Sequence, residues 1–184
     1  MLLSAVRVTL TFALTISALA GASNYAFADT GSPFLISGDG EEVVNIVGVN
    51  EMCLDLDHGD KKNGARIQQW KCNGSDAQKW RVLPARDSSF EIRSAVSGKC
   101  IEVENSSPQA GAAVQQWECN SGKQMQWQFI AVDGYSELQL RPMHKEDRCL
   151  DINKASSGNG AKAQQWYCNQ TDAQRWHVVL PTEG

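Results

Sequence analysis

The chain has 184 residues, 42% of them hydrophobic and 21% charged, with three histidines, six cysteines and a formal net charge of −4. This length suits one domain better than two. The mild acidity excludes the basic face that nucleic acid requires and adhesion to anionic lipid by charge alone.

Taken in chain order, the first segment reads as an export signal. Arg7 is the only charge before Asp29, and Val8 to Ala20 form an apolar stretch too short to span a bilayer comfortably. Ala26-Phe27-Ala28 offers small residues at the two positions a signal peptidase reads, so residues 1–28 are expected to be removed and the protein secreted. Residues 29–41, with Gly31, Pro33, Gly38 and Gly40, read as a flexible lead-in. An even number of cysteines in an exported chain suggests a disulfide framework.

From residue 42 to residue 181 the chain is one unit written three times. Cys53-Leu54-Asp55-Leu56 recurs as Cys100-Ile101-Glu102-Val103 and as Cys149-Leu150-Asp151-Ile152. Each is followed by a Gln-Gln-Trp-x-Cys-Asn run, starting at Gln68, Gln115 and Gln164. The two cysteines of a copy, Cys53 and Cys72, Cys100 and Cys119, or Cys149 and Cys168, stand 19 residues apart every time. A second tryptophan follows eight residues later, at Trp80, Trp127 and Trp176. Alternation of Leu54 and Leu56, Ile101 and Val103, and Leu150 and Ile152 with polar neighbours predicts strands with one buried face. Asn63-Gly64, Ala110-Gly111 and Asn159-Gly160 mark the turns between them. One such unit is too small to bury its apolar face, so three are expected to share a core as an all-β β-trefoil with pseudo-three-fold repeats. By parity, Cys53 and Asp55 share a face, as do Gln68, Trp70 and Cys72. Pairing Cys53 with Cys72 would gather acid, amide, indole and disulfide on one side of a hairpin, with one intra-repeat disulfide per copy.

These residues resemble the ricin B-type lectin family, whose signature is three copies of Cys-Leu-Asp-(Val/Ile) followed by Gln-x-Trp. The resemblance implies sugar sites in which the aspartate accepts hydrogen bonds from sugar hydroxyls, the aromatic ring stacks on the sugar and amides complete the pocket. Carried over by position, repeat one offers Asp55, Gln68, Trp70 and Gln78, and repeat three offers Asp151, Gln164, Trp166 and Gln174. Repeat two offers weaker candidates in Glu102, Gln115 and Trp117, because Met125 stands where the others have glutamine. Ala77, Gln124 and Ala173 depart from the asparagine that the family often has. Repeat two is therefore expected to be the silent one.

Other readings are plainer. Trp80, Trp127 and Trp176 are expected in the core, each with an apolar residue two positions on (Val82, Phe129, Val178). His58, His144 and His177 accompany no nucleophile, and no catalytic or phosphate-cradling motif is present. No enzymatic activity, cofactor or metal is expected. The leading reading is a secreted carbohydrate-binding protein for galactose-like or related sugars on glycoproteins or polysaccharides, without nucleic acid or membrane insertion. The alternatives are a cell-binding or adaptor subunit with a second protein chain, and a trefoil inhibitor of a protein with vestigial sugar sites.

Overall fold

The computed structural model describes residues 43–132 and 137–181. The expected signal segment, residues 1–28, and lead-in, residues 29–41, lie outside the described residues. Twelve strands run in chain order: β1 (Asn45–Gly48), β2 (Met52–Leu56), β3 (Ile67–Lys71), β4 (Trp80–Pro84), β5 (Phe90–Ser94), β6 (Cys100–Val103), β7 (Val114–Trp117), β8 (Gln126–Val132), β9 (Glu137–Pro142), β10 (Arg148–Ile152), β11 (Ala161–Tyr167) and β12 (Trp176–Val179). Single 3₁₀ turns punctuate them, and the described residues contain no α-helix. No helix among them is long and apolar enough to cross a membrane.

Six strands close on one another as a barrel. The antiparallel neighbours run β1-β12-β9-β8-β5-β4, and paired backbone hydrogen bonds between Val44 and Trp80, at 2.8 and 2.9 Å, join the last to the first. Three hairpins, β2-β3, β6-β7 and β10-β11, cover one end. They meet at equivalent points, Lys162 beside Gln68, Arg66 beside Gln115 and Ala113 beside Gln164. This is the β-trefoil expected from three units that cannot bury their apolar faces alone.

The core lies on the pseudo-three-fold axis. Leu54, Leu56, Ile67, Ile101, Val103, Val114 and Leu150 from the hairpins are fully buried against Ile46, Ile92 and Leu140 of the barrel. Trp80, Trp127 and Trp176 seal its margin, at most 1% exposed. A buried indole needs a partner for its N–H. Each Nε1 donates to the carbonyl of the residue following the first cysteine: Leu54 at 3.0 Å, Ile101 at 3.2 Å and Leu150 at 3.3 Å.

The alternation predicted one buried face, and the structure departs from it by burying both. On β2, β6 and β10 the polar positions Asp55, Glu102 and Asp151 are buried as well. The outer face of each first strand is roofed by its own repeat, not by solvent. Disulfides Cys53–Cys72, Cys100–Cys119 and Cys149–Cys168 close each hairpin, with Cα separations of 5.0, 5.2 and 5.1 Å. Each closes a loop of about 20 residues and contributes on the order of 3 kcal/mol by restricting the unfolded chain.

The second glutamine of each Gln-Gln-Trp stretch fastens one repeat to another. Gln69 Nε2 donates to the carbonyls of Ser156 and Gly158 in repeat three. Gln116 does the same to Asp60 and Lys62 of repeat one, and Gln165 to Ser107 and Gln109 of repeat two. The turn so gripped ends in Gly160, Gly64 or Gly111, with φ of +78°, +82° and +88°, a region glycine enters without steric cost.

Candidate functional site: three roofed carboxylates

Each hairpin builds the same small structure on its outer face. In repeat one the register sets Asp55 directly opposite Gln68, and Cys53 opposite Trp70. Residues directly opposite in an antiparallel pair point to the same side, so acid, amide and indole meet as parity required. Gln68 Nε2 donates to Asp55 Oδ1 at 2.9 Å. Gln78, brought back by the turn Asp76–Gln78, donates to Asp55 Oδ2 at 3.1 Å and to the Lys71 carbonyl at 3.1 Å. Its Oε1 accepts the Asn73 N–H at 2.9 Å. Fully buried and fully engaged, Gln78 stands behind the carboxylate and fixes its plane.

Trp70 forms the opposite wall and is 39% exposed, which a core role does not explain. Its ring lies against Gly160 of repeat three, where an added Cβ would fall 3.8 Å from a ring carbon. Between acid and indole lies an open cleft of about 440 Å³, rimmed by His58, Asn73 and Ala77. His58 sits on the rim at φ +54°, its Nδ1 2.6 Å from Asp57 Oδ1.

Repeat three reproduces the arrangement. Gln164 donates to Asp151 Oδ1 at 2.8 Å and Gln174 to Oδ2 at 2.9 Å. Gln174 also holds the Tyr167 carbonyl and accepts the Asn169 N–H, each at 2.9 Å. Trp166 is 39% exposed and backed by Gly111 of repeat two. In both pockets burial pushes the aspartate above the ordinary carboxyl range, and the two amides pull it partly back down. For Asp55 the nearby Asp57 adds to the rise.

Repeat two differs in its parts and preserves the plan. Gln115 donates to Glu102 Oε1 at 3.0 Å, and Trp117 is 41% exposed against Gly64 of repeat one. Met125 takes the buried place of Gln78 and Gln174 and donates nothing. Its loss is met from one position earlier, where Gln124 Nε2 approaches Glu102 Oε2 at 3.4 Å. The longer acid reaches outward by one methylene, and the amide that meets it comes from the position occupied by Ala77 and Ala173 in the other copies. A second, more distant amide donor thus stands in for Met125.

All the residues expected at the pockets are thus brought together, three sets on three hairpins. The cross-repeat glycines had no signal of a shared wall beyond their fixed register.

A family model described as ricin-type beta-trefoil lectin domain-like matches residues 34–117, 84–166 and 123–184. No curated protein sequence matches the chain. Among solved structures, the designed three-fold symmetric protein ThreeFoil is 29% identical with a TM-score of 0.71, over 74% of this chain and 97% of that one. An exo-β-1,3-galactanase from Clostridium thermocellum is 28% identical with a TM-score of 0.72 over 76% of this chain, which spans only 30% of the galactanase. The Macrolepiota procera ricin B-like lectin, solved with lactose, shares the fold at 18% identity and a TM-score of 0.66, over 84% of this chain and all of that one. Three matched repeats on a closed trefoil, each with its own roofed acid, place this chain in the ricin-type β-trefoil lectin-like family.

Proposed function

We propose that this lectin binds galactose-like sugars through the pockets of repeats one and three, with repeat two as a weaker third. The observation that supports this reading is a buried aspartate with both oxygens anchored from behind by amides, facing a half-exposed tryptophan, built twice in the same chain. A carboxylate so oriented accepts charge-assisted bonds from adjacent sugar hydroxyls, and the indole covers the apolar face of the ring. Gln68 and Gln164 line the pocket, while Gln78 and Gln174 hold the acid in place. The galactose-like class draws support from the likeness to the galactanase. In repeat two the second amide is the most distant of the set.

The clefts are shallow, so single sites bind weakly, and two engaged at once on a clustered glycan gain about a hundredfold. The protein acts by binding, without catalysis. Three closed disulfides fit an extracellular or otherwise oxidising setting, and we place the protein outside the cell after loss of residues 1–28.

The test is a glycan array of the protein beside its Asp55→Ala/Asp151→Ala variant. Strong loss in a variant that stays folded is the expected result, with residual signal removed by adding Glu102→Ala. Binding untouched by the double substitution would overturn the assignment.

A further inference from the structure

Three asparagines precede a glycine: Asn63-Gly64, Asn73-Gly74 and Asn159-Gly160. Such a step loses its side-chain amide more readily than others, because a glycine offers no Cβ to obstruct its own nitrogen as that nitrogen closes on the asparagine Cγ. The fold treats the three steps differently. Gly64 N donates to the Gln116 carbonyl and Gly160 N to the Gln69 carbonyl, each at 2.9 Å across a seam between repeats. The asparagines are tied there too, with Asn63 Oδ1 accepting the Glu118 N–H at 3.2 Å and Asn159 Oδ1 the Lys71 N–H at 2.8 Å. In both, the attacking nitrogen and its target are held by another strand.

Asn73-Gly74 has no such restraint. Both residues are exposed, and the Gly74 N–H has no hydrogen-bond partner among the described residues. No atom beyond its chain neighbours lies within 4 Å of where a Gly74 Cβ would stand. The Ser75 N–H donates to Asn73 Oδ1 at 3.0 Å, which polarises the carbonyl and folds the side chain back over the following residues. Repeats two and three keep this turn at Asn120 and Asn169, but with Ser121 and Gln170 after the asparagine. Asn73 also belongs to the repeat-one pocket. It lines the cleft with Asp55, Gln68 and Trp70, and its N–H donates to Oε1 of Gln78, the amide that holds Asp55 Oδ2.

We infer that Asn73 is a site of spontaneous deamidation, and that this modification weakens the repeat-one pocket as the protein ages. The deprotonated Gly74 nitrogen forms a bond to Asn73 Cγ, and the side-chain amide leaves as ammonia. Water then opens the resulting succinimide at either carbonyl, giving aspartate or isoaspartate without any change of oxidation state. Either product puts a new negative charge on the rim shared with Asp55. Isoaspartate also lengthens the backbone by one methylene beside the Asn73–Gln78 bond. Repeat three has glutamine in place of the glycine and keeps its pocket. The effect on binding rests on repeat one being a sugar site, whereas the modification does not.

The experiment ages the full chain at mildly alkaline pH in heavy-oxygen water and follows the label by peptide mass spectrometry. Asn73 should lead Asn63 and Asn159 by about 5-fold or more, the factor that one hydrogen bond imposes on the reactive form. In urea the three steps should label alike. Gly74→Gln should remove the lead, and it installs a residue that the fold already accepts at the equivalent Gln170, whose φ is +59° against +74° for Gly74. Equal labelling in the folded protein, or a lead that persists in urea, would overturn the structural assignment. For binding, repeats two and three are disabled by Glu102→Ala and Asp151→Ala and lactose is titrated calorimetrically. The aged acidic form, separated by anion exchange, should bind about 3- to 10-fold more weakly than fresh protein, the worth of one hydrogen bond. Unchanged affinity would overturn the effect on the pocket. Fresh protein that binds no lactose would overturn the sugar reading of repeat one, with labelling still deciding the modification.

Discussion

Adjacent glutamines of one stretch should respond to alanine in opposite ways. Gln69 is 1% exposed and makes three hydrogen bonds: two donated to Ser156 and Gly158 carbonyls at 2.5 and 3.0 Å, and one accepted from Asn50 Nδ2 at 3.1 Å. At about 1 kcal/mol net for each bond, and somewhat more for carbonyls left without a partner, Gln69→Ala should cost about 2–4 kcal/mol. Gln68→Ala removes one bond, to Asp55, and should cost about 1 kcal/mol while abolishing sugar binding in repeat one. The equivalents calibrate the series. Gln116 also makes three bonds, the third accepted from Ser97 Oγ at 2.7 Å, whereas Gln165 makes two and its Oε1 meets no protein donor. Gln165→Ala should therefore be milder than Gln116→Ala by about 1 kcal/mol. Urea unfolding followed by tryptophan fluorescence measures all four, and for a domain stabilised by about 5–15 kcal/mol these differences are resolvable. If Gln69→Ala costs no more than Gln68→Ala, or if Gln165→Ala exceeds Gln116→Ala, the seams between repeats do not carry the stability assigned to them.

Because each disulfide spans 19 residues, replacing both cysteines of any pair with alanine should lower stability by about 3 kcal/mol, similarly for all three pairs. A wide spread in denaturant midpoints would show that local packing, not chain restriction, dominates. Trp80→Phe leaves the Leu54 carbonyl buried without its donor and should cost about 3 kcal/mol by the same assay; a loss under about 1 kcal/mol would contradict the role given to that bond. Acidification should separate binding from folding. Burial raises the folded-state pKa of Asp55 and Asp151, so their protonation favours the folded state at low pH and their ionisation opposes it as pH rises through the raised value. Sugar binding needs the ionised form, so it should fade above the ordinary aspartate midpoint of about 3.9 while fluorescence stays native. Affinity that holds constant down to about pH 4 would refute this.

The three-fold repeat and the residues that each hairpin gathers on one face were legible because they are local. Parity along Cys53 to Asp55 and Gln68 to Cys72 is a property of one hairpin, and the register Asp55 opposite Gln68 obeys it. Relations between hairpins were not legible. Gln68 and Gln69 are the same residue type on opposite faces, and only the docking of repeat three's turn makes one a seam and the other a pocket wall. The pairing of Glu102 with Gln124 was hidden for a different reason. Two changes in side-chain length and position compensate in space, while column by column each reads as a loss. Burial of the outer face of β2, β6 and β10 came from turns folding back over them, which strand periodicity does not encode.

The borrowed walls also set an order of completion on a chain emerging from its N-terminus. Repeat two's pocket takes its backing from Gly64, upstream of itself, and has every part in hand once Gln124 is out. Repeat one's own residues end at Gln78, yet its tryptophan leans on Gly160, and its seam bonds span 87 and 89 residues. The pocket written first must therefore wait for the third repeat.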